Sequence, residues 1–216
     1  MVISLEPNST GQTRTASIEI VSGSDKITIT VTQEETMQPG GFVIEATNVM
    51  DAPNDMASVI AISYGVEVEN QNEAAFASAK YENNGFMLNL PATVPSKFLL
   101  TWTYDYFSDE VVPSSDKNAK IAYVHLYGRD HNEEWIAQII PVDDREWSIV
   151  ATYIYADRDF TAKGKVSSKT EFDCSFKKGW NIMYYILKDD EESLEVIVTT
   201  QKPANANLLK WICIDA

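Results

Sequence analysis

The sequence predicts an all-β protein, a predominantly antiparallel β-sandwich with a short N-terminal β-hairpin segment. Apolar residues alternate with Thr, Ser and charged residues in many short runs, as strands with one buried face require. Polar turn-forming residues separate those runs at hairpin spacing. A chain of 216 residues is also long enough to bury the core that such strands need, as one large sandwich or as two modules of unequal length.

The clearest pair of strands comes first. Ala16, Ile18 and Ile20 alternate with Thr15, Ser17 and Glu19, and Ile27, Ile29 and Val31 alternate with Thr28 and Thr30. Between them Ser22-Gly23-Ser24-Asp25-Lys26 supplies a turn, so residues 14–31 read as a hairpin whose apolar parity includes Ile18, Ile20, Ile27 and Ile29. Glu34 to Gly41 ends in Pro39-Gly40-Gly41 and reads as a linker or crossover, placing a first segment at 1–36 and the main domain at 42–216.

Within the main domain, strands are expected at 42–46, 58–64, 86–90, 97–106, 120–127, 135–141, 147–156, 160–167, 171–176, 181–187, 194–200 and 208–214. The acidic runs Asp130 to Glu134, Pro141 to Arg145 and Lys188 to Glu192 read as solvated hairpin ends. Glu73 to Tyr81 is balanced between a short helix, which its alanines favour, and a strand.

Composition narrows the partners. Lys and Arg total 17 against 32 Asp and Glu, a formal net charge of -15, which argues against nucleic acid or an anionic membrane as the main partner. No run is apolar enough for a transmembrane segment, and Met1 to Ser4 lacks the basic start of a secretory signal, so export would require a signal absent from this chain. Cys174 and Cys213 fit either one disulfide or two buried thiols.

The N-terminal residues carry a resemblance. Asn8-Ser9-Thr10-Gly11, Arg14-Thr15-Ala16-Ser17-Ile18, Gly23 and Ile27-Thr28-Ile29-Thr30-Val31-Thr32-Gln33 resemble the closing strands of a BACON domain, a small sandwich of surface and secreted proteins of Bacteroidetes. The likeness covers residues 3–33, without the aromatic earlier half of the usual domain, so these strands are either a fragment or part of the domain that follows. Phe42 to Asn48, Gly85 to Pro91, Tyr153 to Asp157, Lys178 to Asn181 and Lys210-Trp211 are similar to the downstream domain of surface lipoproteins of gut Bacteroidetes. The resemblance implies an extracytoplasmic location, at the cell surface or in the periplasm, and carries no catalytic residue or sugar ligand.

Chemistry must then come from the residues themselves. His125 sits at a strand position and His131 in a turn, without the spacing of a nucleophile–base pair, and two histidines leave little for a zinc site. Asp157 with Asp159, or Asp105 with Asp109 and Glu110, are the carboxylates available to an acidic glycoside hydrolase. Asp189-Asp190-Glu191-Glu192 lacks the ligand spacing of an EF-hand and suits a charged hairpin tip. No cofactor, metal or catalytic residue is assigned.

Aromatics carry the binding expectation. In Trp102-Thr103-Tyr104-Asp105-Tyr106 the rings share one strand face; Trp102 is assigned to the core, and Tyr104 and Tyr106 to a ligand-binding surface for a glycan or a surface protein. Trp147, Ile149, Ala151, Tyr153 and Tyr155 share parity, while Trp180, after Gly179, and Trp211 read as sandwich anchors. The leading function class is therefore a non-catalytic surface binding or adhesion module, followed by a structural spacer or assembly component and then by a glycoside hydrolase. Removal of residues 1–36 should leave a main domain that still unfolds cooperatively in urea. Loss of the whole fold would show instead that the hairpin completes the larger sandwich.

Overall fold

The computed structural model describes residues 14–22, 25–33, 41–66, 71–102, 114–143, 148–167, 169–190 and 193–215. These residues form an all-β sandwich, and among them the only helical turns are three short 3-10 segments. Strands β1 (Arg14–Ser22) and β2 (Asp25–Gln33) form the N-terminal hairpin. Ile18 lies opposite Ile29 and Ile20 opposite Ile27, and Thr15, Ser17, Lys26, Thr28 and Thr30 are exposed.

The described residues from 42 onward form two layers. The smaller is the antiparallel pair β3 (Phe42–Thr47) and β6 (Gly85–Leu90). The larger is an eleven-stranded sheet containing β4 (Ser58–Tyr64), β5 (Ala75–Lys80), β7 (Leu100–Thr101), β8 (Lys120–Arg129), β9 (Trp135–Asp143), β10 (Ile149–Ala156), β11 (Phe160–Lys165), β12 (Thr170–Phe176), β13 (Gly179–Asp190), β14 (Ser193–Thr199) and β15 (Leu209–Ile214). Its main order is β11-β12-β14-β13-β10-β9-β8-β4-β5, with β15 against β9 and β7 against β8.

Alternation decides which layer meets which face. Ile44, Phe86 and Leu88 of the small sheet pack with Val59, Ala61, Val124, Leu126, Tyr155 and Trp180 of the large one, forming the main core. The opposite parity of the same strands turns away from that core: Ile121 and Tyr123 of β8 and Ile154 of β10 join a second cluster with Phe160, Phe172, Phe176, Met183 and Val198. On β4, Ile60 and Ile62 likewise face away, beside Tyr127 and Trp135. β4 is buried on both faces, which explains why Val59 to Ile62 is a continuous apolar run rather than an alternating one.

Trp180 anchors the main core. It is 2 % exposed, its Nε1 donates to the Pro91 carbonyl at 2.8 Å, and its ring meets Tyr155 edge-on at 5.3 Å and lies nearly parallel to Phe76 at 6.0 Å. Gly179, at φ 104°, takes the left-handed conformation that lets the chain enter β13 and deliver the ring inward. Gly85 is constrained differently, since a Cβ there would collide with the Ala46 carbonyl oxygen across the β3–β6 pair.

One local expectation changes, and two further details emerge. The strand expected over 97–106 is instead a 3-10 turn at Ser96–Phe98 followed by the short β7, because the turn seats Phe98 in the main core; residues 103–106 lie outside the described set. Glu73 to Tyr81 divides between a 3-10 turn at Gln71–Ala74 and strand β5, which pairs with β4 and so satisfies its backbone within the sheet. The sheet also contains one parallel pair, β12 with β14, because β14 folds back on β13 and inserts between it and β12. Truncating Trp180→Ala should cost roughly 3–5 kcal/mol of unfolding free energy, measured by urea denaturation, because it empties a large core site and orphans the Pro91 carbonyl.

Candidate functional site: an aromatic cleft where three strands part

The site follows from a break in the β ladder. The first half of β8 pairs with β10, ending at Val124 opposite Tyr153, whereas its second half pairs with β9 from Leu126 opposite Ile139. β9 pairs with β15 along its other edge and meets β10 only at Val142 opposite Val150. Those three pairs bound a gap whose edges are His125 on β8, Ile140 and Pro141 on β9, and Ala151 and Thr152 on β10. Pro141 brings no N–H to the ladder at this point. Thr152 compensates in part, its Oγ1 donating to the Val124 carbonyl at 3.2 Å.

A cleft of about 520 Å³ opens here on the face of the large sheet that points away from β3 and β6. Tyr64, Tyr123, His125, Gln138, Thr152, Tyr185, Leu187 and Val196 are among its lining residues. Most of these walls are hydrocarbon or ring surface. Among the described residues lining the cleft there is no Asp, Glu, Lys or Arg.

The polar groups are few and arranged in pairs. The hydroxyls of Tyr123 and Tyr185 lie 2.7 Å apart and share a hydrogen bond across the second core. His125 stacks on Tyr64 with ring centroids 4.2 Å apart and lies 5.4 Å from Tyr123. Its Nδ1 is 3.3 Å from Gln138 Nε2. Burial pushes the His125 pKa down to about 4, so the imidazole is neutral near pH 7. A neutral ring accepts the Gln138 amide proton at Nδ1 and carries its own proton on Nε2.

None of the expected ligand-binding or acidic residues is among the described residues that line the cleft. Tyr104 and Tyr106, the expected ligand-binding pair, lie outside the described residues, as do Asp105, Asp109, Glu110 and Trp147. Trp102, assigned to the core, is buried against Phe160 and Phe176 in the second cluster. Trp211 packs against the main core, edge-on to Phe86.

Asp157 and Asp159 are engaged in local structure. Burial acts to raise the Asp157 pKa, but hydrogen bonds from the Arg158 guanidinium and the Lys120 N–H outweigh it and hold the carboxyl below its ordinary range. The Lys178 N–H and then the Lys177 ammonium lower Asp159. Neither has the raised pKa of a general acid. Cys174 and Cys213 are free and buried in different clusters, with burial pushing their thiols up to about 12 and about 11. Among the described residues no group of three or more His, Cys, Asp or Glu side chains converges as a metal site, and no helix is long and apolar enough to cross a membrane.

The cleft carried one signal in the sequence. Tyr123, His125 and Tyr127 alternate along β8 in the same manner as Trp102, Tyr104 and Tyr106, and their rings form a continuous series with Tyr64 and Trp135. Tyr185, Leu187, Val196 and Val198 belong to strands distant in sequence and gave no such signal.

Comparison with known proteins bears on the N-terminus. The BACON family model, described as "Putative binding domain, N-terminal", matches residues 1–34. The chain therefore has an N-terminal BACON-like domain, within which the β1–β2 hairpin lies. No curated protein and no solved structure matches the chain.

The buried imidazole predicts a pH dependence with a defined sign. Between about pH 6.5 and about pH 4 the unfolded chain protonates His125 while the folded protein does not, so stability is full above this window and falls as the pH drops through it. The loss attributable to this group should reach up to about 3 kcal/mol. Urea melts from pH 7 to pH 4 on wild type and His125→Gln will measure it as the difference in slope between the two proteins.

Proposed function

We propose that this chain is a non-catalytic binding module that acts outside the cytoplasm, and that the aromatic cleft between β8, β9, β10, β13 and β14 is its ligand site. The observation that carries this reading is the cleft: about 520 Å³, walled by aromatic and aliphatic side chains, with a few polar groups at fixed positions. Small-molecule sites have this size and composition, in which apolar walls supply affinity and sparse polar groups set orientation. Nucleophilic or acid–base chemistry would need a proton-transfer partner beside His125, whereas among the described residues its contacts are the Gln138 amide and tyrosine rings. The N-terminal BACON-like match supports both the binding role and the extracytoplasmic location.

A glycan or a surface protein remains the partner proposed for Tyr104 and Tyr106. Mutation distinguishes this assignment from the cleft. A ligand found by thermal-shift screening of glycans and small apolar molecules should bind the Tyr104→Ala/Tyr106→Ala protein normally. It should lose roughly tenfold or more in affinity for Val196→Trp, whose indole would occupy the cleft. Isothermal titration on variants that retain the wild-type melting transition provides the measurement. Unchanged affinity in Val196→Trp, with loss in the tyrosine double variant, would move the site from the cleft to the Tyr104 surface.

A further inference from the structure

We propose that the groove between β3 and the large sheet is a further binding site, one that takes a neutral sugar residue of a glycan. Tyr153 and Trp211 carry the apolar face of the sugar, and Glu45, Thr47, Lys202 and Asn207 meet its hydroxyls. This inference goes beyond the reading of the cleft and does not rest on it.

The groove has a volume of about 350 Å³, within the range of small-ligand sites. Phe42, Glu45 and Thr47 of β3 line it, together with Tyr153 of β10 and Trp211 of β15. The segment joining β14 to β15 adds Lys202 and Asn207. Burial sorts these residues by depth: Phe42 is buried, Tyr153 and Trp211 are half-buried, and Glu45, Thr47, Lys202 and Asn207 are exposed. The deeper part of the groove is therefore aromatic and its outer part polar.

The rings are fixed by their own packing. The planes of Tyr153 and Trp211 lie within 9° of parallel with centroids 6.3 Å apart, Phe42 meets Tyr153 at 5.5 Å, and Phe86 meets Trp211 edge-on at 5.5 Å. A ligand that packs on them does not have to order them first, which removes one cost of binding.

The side chains present select the ligand's chemistry. An apolar molecule would turn hydrocarbon toward Glu45 and Lys202 and displace their water without replacing its hydrogen bonds. An ionised molecule of either sign would meet one of that pair as a like charge. A sugar has a face of C–H groups and an edge of hydroxyls. The C–H face packs on aromatic rings, while each hydroxyl both donates and accepts, so one molecule can donate to the Glu45 carboxylate and accept from the Lys202 ammonium.

Isothermal titration of the full chain with soluble hexasaccharides of glucose, mannose, xylose and N-acetylglucosamine tests this. At least one should bind wild type with a Kd of about 1 mM or tighter. Glu45→Ala removes a charged acceptor at an exposed position and should weaken that hexasaccharide roughly tenfold or more. Thr47→Trp, also at an exposed position, should fill the groove and abolish binding, with Asn207→Trp in its place should that variant not fold. Val196→Trp, which fills the cleft, and the Tyr104→Ala/Tyr106→Ala protein should bind the sugar as wild type does.

Failure of every hexasaccharide to bind wild type would overturn this inference and leave the reading of the cleft standing. Binding that survives Glu45→Ala or the groove-filling variant would overturn it equally. Loss in Val196→Trp would then place the sugar in the cleft, and loss in the tyrosine double variant would place it at the Tyr104 surface.

Discussion

Every strand must place its backbone N–H and C=O groups, and in this protein β8 does so with different partners along its length. Its first half shares one edge with β10, and its second half gives that edge to β9. Two strands cannot occupy one edge at one level, so β9 and β10 are forced apart between these positions. On their opposite edges β9 pairs with β15 and β10 with β13. The gap between them lies where β8 passes from one partner to the other. The cleft and the chemistry of its walls depend on that change of partner.

The same arrangement explains how one sheet supports two cores. Residues of one parity on β4, β8, β10 and β13 lie under the β3–β6 pair, where Trp180 holds the layers together through Pro91. On β8, β10 and β13, residues of the other parity form the second cluster and, nearer the gap, line the cleft, while Ile60 and Ile62 of β4 pack in a separate cluster. A strand buried on both faces cannot move without disturbing both cores, so the cleft walls sit on rigid elements, as a pre-formed site requires. His125 illustrates the coupling: Leu126, its neighbour in sequence, is part of the main core, while its own ring stacks on Tyr64 at the cleft.

Much of the fold was legible because period-2 patterning is a local signal. β4 was expected at Ser58 to Tyr64 and is found there, and most other strands differ from expectation by a residue or a few at their ends. The segments that departed were those whose pattern competed with another demand. At Ser96–Phe98 the chain turns to bury a phenylalanine, and Ala75–Lys80 is a strand because β4 offers it an edge despite alanines that favour a helix. The site was less legible. Parity shows that Tyr123, His125 and Tyr127 share a face, but a buried aromatic stripe and a ligand wall have the same spacing.

The sequence by itself determined the all-β class, most strand positions, the inward fate of Trp180 and Trp102, and the N-terminal hairpin. Each depends on alternation or turn chemistry, which act over a few neighbouring residues. Only the tertiary structure decided that β14 inserts between β12 and β13, that β8 changes partners, and that Cys174 and Cys213 lie in separate cores. It alone brings Tyr64, His125, Gln138, Tyr185 and Val196 around one cavity. These outcomes depend on which strand wins an edge, a competition among backbone groups far apart in the chain, and no local spacing encodes its result.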